Sequence, residues 1–581
     1  MLVYKASYPA EPMSQSKSRL RRLFFGPSHS LLPLVLLGCV IGVAAGLVMA
    51  SFLTLLNMTL GWLNGASLED FESLPPLWRL GLPVFGSLLL IGLYRVTPVS
   101  AQSVGLPHVL ERLQFGQGRL PAANIAFQFV GALIALGSGQ SIGREGPAVH
   151  LGSGVASLFG QYAGRPPSQL RLLIGCGTAA AISAAFTTPL AGVLFAMEVV
   201  LMEYSLLGFA PIIAAAITAS AFTEVLLGPH PVLEPVQLAL AGYSDIPGLL
   251  FTGIWVGLVA VLFHHLVRLF LRFPIQSKGP RLLLAGIITG VLALVAPQIL
   301  GSGYDTINTT LVQPMPWLPL LLLLLAKLIA TAAAIGLGVP GGQIAPNLML
   351  GVCAGGVAGA VVPGASEPGL YALLGMAAMM GAVLHAPLAA LATVLELSLS
   401  AEAMFPAMVV VLSANLVCQH GFRLPSLLLT LLEARGQVLQ THPVCTALAQ
   451  RYLSELACFQ FAGVDADTGE VPAGVLRQKP QWVVVWLTGQ PYLVNGPRFK
   501  EMYLTWRQQP DGVSLSQTLA PLLADRHRLI ELAEDATLLA AIKTLQLEET
   551  AGFLLPVGRQ GLGLVTRAQL VGMLTTEGHV Y

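Results

Sequence analysis

The sequence predicts an all-α polytopic membrane protein with two inverted structural repeats, whose broken helices meet at mid-membrane, followed by a C-terminal α/β cytoplasmic domain. Three observations lead to this prediction. Apolar runs follow one another from Leu31 to Cys418, a Gly/Pro motif occurs twice, and charged residues become frequent only after Arg435. Composition agrees with it, because only 10% of the 581 residues are charged, whereas a soluble domain carries about 25%.

The apolar runs are the predicted membrane elements. A bilayer core of about 30 Å takes about 20 apolar residues as a helix, and several runs reach that length. Others are short or are interrupted by Gly and Pro. Non-helical backbone at membrane depth is tolerated only where it is buried or lines a wet cavity, so the interrupted helices point to the functional site. The runs are Leu31–Leu60, Leu80–Tyr94, Ala122–Leu136, Leu170–Val200, Gly208–Leu227, Leu249–Leu271, Leu282–Leu300, Leu318–Leu337, Leu370–Leu397 and Ala403–Cys418.

The domain boundaries follow from where the apolar runs begin and from where charged residues become frequent. Basic residues precede the first apolar run, at Lys17, Arg19, Arg21 and Arg22, and such residues stay on the cytoplasmic side. We expect a multi-pass protein of the cell (inner) membrane with both termini cytoplasmic. The predicted domains are a cytoplasmic leader at 1–30, a membrane domain at 31–436 with halves at about 31–230 and 245–436, and a cytoplasmic domain at 437–581.

The cysteines and histidines argue against several other classes of protein. The 6 cysteines are scattered, which disfavours a zinc site or a disulfide framework. The 11 histidines show no spacing for a metal centre or for a nucleophile and its base. We therefore expect no enzyme, no metal site and no resident cofactor. The lipid bilayer, and no nucleic acid, is the expected partner.

An internal repeat is the most informative feature of the sequence. Gly143–Pro147 (GREGP) in the first half matches Gly342–Pro346 (GQIAP) in the second, and Gly follows each Pro by 5 and by 13 positions. Repeats of this size suggest two halves of inverted topology, with the site where they meet. Further matches at an offset of 198 residues are Pro189 with Pro387, Glu198 with Glu396, and Gly105 with Gly303.

The repeated segments, 137–150 and 336–347, each place free backbone N–H groups at the start of an apolar helix. A helix N-terminus offers unpaired donors and the positive end of the helix dipole, and both attract an anion. Two such ends that meet at mid-membrane form an anion site without a full buried charge. A transported ion has to bind well enough to enter and weakly enough to leave, which this arrangement allows.

Both motifs resemble signatures of the CLC chloride channel/transporter family. Gly143–Pro147 is similar to its G-[KR]-E-G-P, Gly342–Pro346 to its G-x-F-x-P, and Gly105–Pro107 to the end of its G-S-G-I-P. Lys327–Thr331 also fits the family pattern, and the resemblance covers about residues 35–436. It implies a homodimer in which each subunit has its own pathway for chloride or similar anions.

Glu145 is the main candidate for a gate. It is an ionisable residue in an apolar, Gly-rich stretch, which makes it a functional candidate. A carboxylate there can occupy an anion position when charged and leave it when protonated, and the resemblance implies that it is the external gating glutamate. The alternative is a structural ion pair with Arg144. Lys327 is either a charge in the pathway or a structural residue, and we favour the structural role.

The resemblance also implies the ligands of the central anion. Backbone N–H groups of Gln343 and Ile344 would bind it, with Ile344 in place of the family's Phe; the alternative is a tight helix connection. The family's central Ser falls at Val104 and its central Tyr near Leu428, so both hydroxyl ligands are absent. The predicted anion-binding residues are Ser103, Val104, Gly105, Gly146, Gln343, Ile344 and Leu428.

Proton coupling is where this sequence departs most from the family. Proton-coupled members carry an internal glutamate one residue after the position of Glu198, and here that residue is Val199. Glu198 is a candidate for the proton path, with helix-surface or interface pairing as the alternative. The expected function is chloride transport by a gated channel or weakly coupled transporter, and the alternative is a proton-coupled chloride/H+ antiporter. Chloride, nitrate and fluoride stay open as substrates, and so does voltage dependence.

The C-terminal domain resembles a CBS domain. Asp535–Leu539 leads into a helix, and Gly552–Val557 and Gly561–Arg567 indicate strands. A divergent first copy is expected within 438–505, where Trp482–Leu487 pairs with Pro491–Val494. CBS pairs often bind adenine nucleotides, but fold analogy alone does not transfer a ligand. We favour a module for dimerisation and stability over nucleotide binding.

Overall fold

The computed structural model divides into two compact units, a membrane unit that ends at Leu439 and a C-terminal unit that begins at Gln440. The predicted leader 1–30 lies outside the described residues, and the predicted domain boundaries stay predictions. The structure describes residues 31–577 except for 65–70, 205, 229–232, 234–237, 314, 363–365, 438–447, 449–450, 470, 472–479, 510–512, 521–522, 524–526 and 558–560.

The membrane unit consists of two successive sets of helices. The first set is α1 (Leu31–Asn64), α2 (Pro76–Val96), α3 (Gly105–Phe115), α4 (Ala122–Gly137), α5 (Glu145–Tyr162), α6 (Pro167–Phe186), α7 (Pro189–Phe195, continued by a π-helical segment Ala196–Leu201) and α8 (Leu206–Leu227). The second set is α9 (Ile246–Leu271), α10 (Lys278–Val295), α11 (Tyr304–Val312), α12 (Trp317–Leu337), α13 (Ile344–Val361), α14 (Pro368–Leu384), α15 (Pro387–Ser398) and α16 (Met404–Leu416), and α17 (Leu427–Glu433) follows it.

The second set repeats the first helix by helix, which confirms the predicted structural repeats. The motif helices α5 and α13 both contain 18 residues. Each repeat starts its sixth and seventh helices on Pro, whose fixed φ suits the first turn and whose missing N–H is not needed there. The repeats are inverted, and where they meet the equivalent residues Gly143 and Gly342 form an antiparallel bridge.

The distribution of apolar side chains identifies a multi-pass membrane protein. Nine helices in the described part of the chain are long and apolar enough to cross a membrane. In the most apolar 18-residue stretch of α6 and of α13, 83% is buried, compared with 33% of the equivalent stretch in α1 and in α10. The outer helices expose side chains such as Leu47 and Val291, whereas α6 and α13 form the centre of the unit.

Glycine allows the central helices to approach closely, at the same contact in both repeats. A Cβ atom on Gly152 of α5 would overlap the carbonyl oxygen of Gly177 in α6. A Cβ atom on Gly351 of α13 would likewise overlap the carbonyl oxygen of Gly375 in α14. Small residues at helix interfaces allow backbones to approach in membranes. The Gly that follows each motif Pro by five positions therefore has a packing function.

The C-terminal unit contains two three-stranded sheets of the same topology. In each sheet the first two strands are parallel and the last two are antiparallel, and a helix follows the third strand. This architecture fits a CBS-like α/β domain, and the predicted pairing of Trp482–Leu487 with the next strand is confirmed. The elements are β1 (Phe461–Asp465), β2 (Trp482–Leu487), β3 (Gln490–Asn495), α18 (Gly496–Arg507), α19 (Leu515–Leu519), β4 (Leu529–Glu531), α20 (Leu538–Leu547), β5 (Gly552–Pro556), β6 (Leu562–Thr566) and α21 (Arg567–Glu577).

Candidate anion-transport site

The two Gly/Pro motifs meet through their backbones. The N–H of Gly143 donates to the carbonyl of Gly342, and the N–H of Gly342 donates to the carbonyl of Gly143, both at 2.8 Å. A Cβ atom on Gly146 would lie 2.5 Å from the Cα of Gly342, so any larger residue would force the two segments apart. The first turns of α5 and α13 consequently come together, and the first N–H groups of each helix have no partner within their own helix.

Glu145 is the first residue of α5 and is only 1% exposed. Its carboxylate accepts hydrogen bonds from the hydroxyl of Tyr304 at 2.8 Å and from the N–H of Ala345 at 3.1 Å. Ala345 belongs to the first turn of α13, where the helix dipole favours negative charge. The carboxylate of one repeat therefore lies at the helix N-terminus of the other.

Arg144 contacts aromatic rings. The centre of its guanidinium lies 5.1 Å from the ring centroid of Phe186 and 5.2 Å from that of Tyr304, which are cation–π distances. Among the described residues it forms no salt bridge with Glu145. These contacts do not match the alternative in which Glu145 and Arg144 are a structural ion pair.

Two cavities lie at this junction. The smaller has a volume of about 30 Å³ and is lined by Glu145, Tyr304 and Ile344, among others. The larger, which we call the central cavity, has a volume of about 590 Å³. Every predicted anion-binding residue lines it, and their roles stay predictions. These residues are Ser103, Val104, Gly105, Gly146, Gln343, Ile344 and Leu428.

The charged side chains along the central cavity are mostly basic. Lys278, Arg281 and Arg435 line it, together with one carboxylate, Glu111. Arg435 lies 3.9 Å from that carboxylate and donates to the carbonyl of Val104 at 3.3 Å. The excess of positive charge attracts anions into the cavity.

Comparison with known proteins identifies the family. The family described as voltage gated chloride channel matches residues 85–419, more than half of the chain. The chain belongs to the CLC family. A ClcB-like chloride channel protein of Ralstonia nicotianae is 31% identical over 404 residues, which cover 66% of this chain and 93% of the relative. The H(+)/Cl(-) exchange transporter ClcA of Citrobacter koseri is 27% identical over 405 residues, which cover 67% of this chain and 86% of the relative.

A solved CLC structure shares the fold beyond the membrane unit. The crystal structure of a eukaryotic CLC transporter matches with a TM-score of 0.60 at 20% sequence identity. The match covers 92% of this chain and 97% of the transporter. At this identity the likeness concerns the fold alone.

Tyr304 is a site residue of this CLC protein that sequence reasoning missed. It begins α11 directly after Gly303, the repeat counterpart of Gly105. Its hydroxyl donates to Glu145, and its ring packs against Arg144 and Phe186. One feature of the sequence pointed to Tyr304, because this residue directly follows Gly303, which the repeat matches with Gly105.

Lys327 lies under the segment that precedes Tyr304. The lysine is fully buried, and its Nζ donates to the carbonyls of Ile299 and Gly301, each at 2.9 Å. The N–H of Gly301 in turn donates to the carbonyl of Gly139 at 3.2 Å. These bonds agree with the structural role, since they fix the chain that leads to the contact between Tyr304 and Glu145.

Glu198 and Glu396 cap helices of opposite repeats in a reciprocal way. The carboxylate of Glu198 accepts from the N–H groups of Leu388 at 3.3 Å and Ala389 at 2.8 Å, in the first turn of α15. The carboxylate of Glu396 accepts from the corresponding N–H groups at the start of α7, at 2.8 and 2.7 Å. This geometry matches interface pairing, and the proton-path role of Glu198 stays a prediction.

A buried histidine pair joins two helices of the site. Nδ1 of His108 in α3 lies 3.0 Å from Nε2 of His150 in α5. One ring nitrogen donates and the other accepts, so the accepting ring is not fully protonated. The pair connects the helix that begins at Gly105 to the helix that begins at Glu145. Over the described residues no group of three metal-ligating side chains occurs.

Proposed function

We propose that this CLC protein transports chloride through the junction of its two repeats, with Glu145 as the gate. One observation carries the proposal: the Glu145 carboxylate accepts the N–H of Ala345 at the N-terminus of α13. Backbone donors and the helix dipole make such a place suitable for an anion. A tethered carboxylate there competes with free chloride for the same donors.

In this mechanism, protonation opens the gate. A neutral carboxyl group interacts with a helix N-terminus less strongly than a carboxylate does. Protonated Glu145 therefore leaves, and chloride takes its donors. The basic side chains of the central cavity raise the local concentration of anions. Because the helix ends carry only partial charges, chloride is held loosely enough to leave again.

We infer that proton countertransport is weak. Val199 is apolar and buried, so it cannot accept a proton. Glu198 already caps two N–H groups of α15. A proton-coupled antiporter is the second candidate, and the observation that favours it is the similarity to ClcA, which is named as an H(+)/Cl(-) exchange transporter.

Liposomes that report chloride and pH together test both candidates. We expect chloride efflux that acidification accelerates, without uphill movement of protons under a chloride gradient. Glu145→Gln should abolish the pH dependence and retain efflux. A folded Glu145→Gln variant that passes no chloride would contradict the gate. Protons driven uphill by chloride would establish the antiporter.

For the assembly, we propose a homodimer with cytoplasmic termini, in which the C-terminal unit serves dimerisation and stability. The basic residues before α1 support a cytoplasmic N-terminus. The C-terminal unit also contains a cleft of about 530 Å³ lined by Trp482, Arg498 and Arg567, among others. An adenine nucleotide is the alternative ligand for this cleft, and equilibrium dialysis with ATP tests it.

A further inference from the structure

The central cavity contains a buried polar side chain with no hydrogen bond. Gln343 is 6% exposed, and neither carboxamide atom has a hydrogen-bond partner among the described residues. Gln343 lines the cavity together with Val104 and Leu428. Building on the proposed function, we propose that the side-chain Nε2 of Gln343 donates a hydrogen bond to the anion in the central cavity.

The position of Gln343 leaves its side chain available for this contact. Gln343 is the N-cap of α13, where a side chain commonly accepts a hydrogen bond from the first turn. It makes no such bond. Glu145 of the other repeat accepts the N–H of Ala345 instead. The carboxamide therefore lies at the positive end of a helix that it does not cap.

An anion is the ligand that suits these surroundings. A buried amide without a partner is unfavourable, and its nitrogen offers two N–H donors. Val104, Ile344 and Leu428, which line the same cavity, are apolar and offer the anion no side-chain donor. The helix N-terminus, Arg281 and Arg435 all repel a cation. Gln343 then sets the affinity for the anion in place of hydroxyl ligands.

Chloride titration calorimetry on the full chain in detergent tests this role. Glu145→Gln serves as the background, because no tethered carboxylate then competes with chloride. Adding Gln343→Met keeps the side-chain length and removes both donors, so chloride should bind about tenfold more weakly. Gln128→Met is the matched control. Gln128 is also buried without a carboxamide partner in the described part of the chain, and it does not line the central cavity.

The outcomes separate the proposals. Equal chloride affinity with and without Gln343→Met overturns the role of Gln343, and so does an equal loss in Gln128→Met. Should Gln343→Met not fold, Gln343→Glu keeps the shape and should weaken binding more than tenfold at neutral pH, because like charges repel. Unchanged binding in that variant also overturns the inference. If the Glu145→Gln background itself neither binds nor transports chloride, the proposed function fails instead.

Discussion

At the scale of single residues, the carboxylate of Glu145 is held by donors from distant parts of the chain. Ala345 contributes a backbone N–H and Tyr304 contributes a hydroxyl. The hydroxyl is a donor in addition to those of the helix N-terminus. In the proposed mechanism it bonds to Glu145 only while the carboxylate is in place, so we expect Tyr304 to stabilise the closed state and to leave the open state unaffected.

Removing that hydroxyl should open the gate. A hydrogen bond to a charged group contributes about 1.5–3 kcal/mol, so Tyr304→Phe should shift the gate toward the open state by roughly tenfold or more. Chloride efflux at a pH where wild-type efflux is slow measures the effect. Tyr371→Phe is the control, because this buried hydroxyl has no hydrogen-bond partner among the described residues. Chloride efflux from Tyr304→Phe at the same slow rate as from the wild type would rule out the stabilising role.

The candidate site was predictable where the backbone repeat or the family resemblance marks it. The residues around Gly146 and Gln343 were found because their motifs need Gly and Pro at fixed spacing. Tyr304 and the side chain of Gln343 were not, because their roles depend on which atoms face each other once the repeats pack. The sequence shows that Gln343 is polar, but it does not show that the carboxamide lacks a partner.

At the scale of helices, the reciprocal caps connect α7 and α15. The first turn of each helix donates two N–H hydrogen bonds to a glutamate near the end of the other. A carboxylate suits a helix N-terminus because it satisfies orphan N–H groups and opposes the dipole. The repeated spacing from Pro to Glu, visible in the sequence, therefore encodes a contact between repeats.

Neutralising either cap gives a matched pair of variants. Glu198→Gln and Glu396→Gln should each destabilise the membrane unit by about 0.5–2 kcal/mol, measured as a lower melting temperature in detergent. Because both glutamates act as caps, the two losses should be similar, and neither variant should change proton movement. A change of proton movement in Glu198→Gln alone would instead support the proton path.

Helix boundaries show where sequence patterns are insufficient. The apolar runs Leu170–Val200 and Leu370–Leu397 each contain two helices in the structure. Each run breaks at a residue in the left-handed conformation, Thr187 with φ 55° and His385 with φ 58°. A hydropathy profile does not reveal these turns, because the residues on both sides are equally apolar. The Pro that follows two positions later was the available signal.

At the scale of the whole molecule, we expect transport not to depend on the C-terminal unit. All the described residues that line the central cavity lie between Tyr94 and Gln437, within the membrane unit. We expect a chain that ends at Leu439 to retain chloride efflux within about twofold and to lose thermal stability or dimer content. Efflux together with light scattering in detergent measures both. A folded truncated protein without efflux would show that transport depends on the C-terminal unit.

The reciprocal caps also bear on how the protein is made. The N–H of Leu190 donates to the carboxylate of Glu396, which lies 206 residues later in the chain. Because Glu396 is synthesised after α7, we expect the start of α7 to lack this cap until the second repeat has been made, and unmet donors are costly in lipid. In a chain that ends before Glu396, the start of α7 would lack these two hydrogen bonds, which would distinguish an unfinished chain from a finished one.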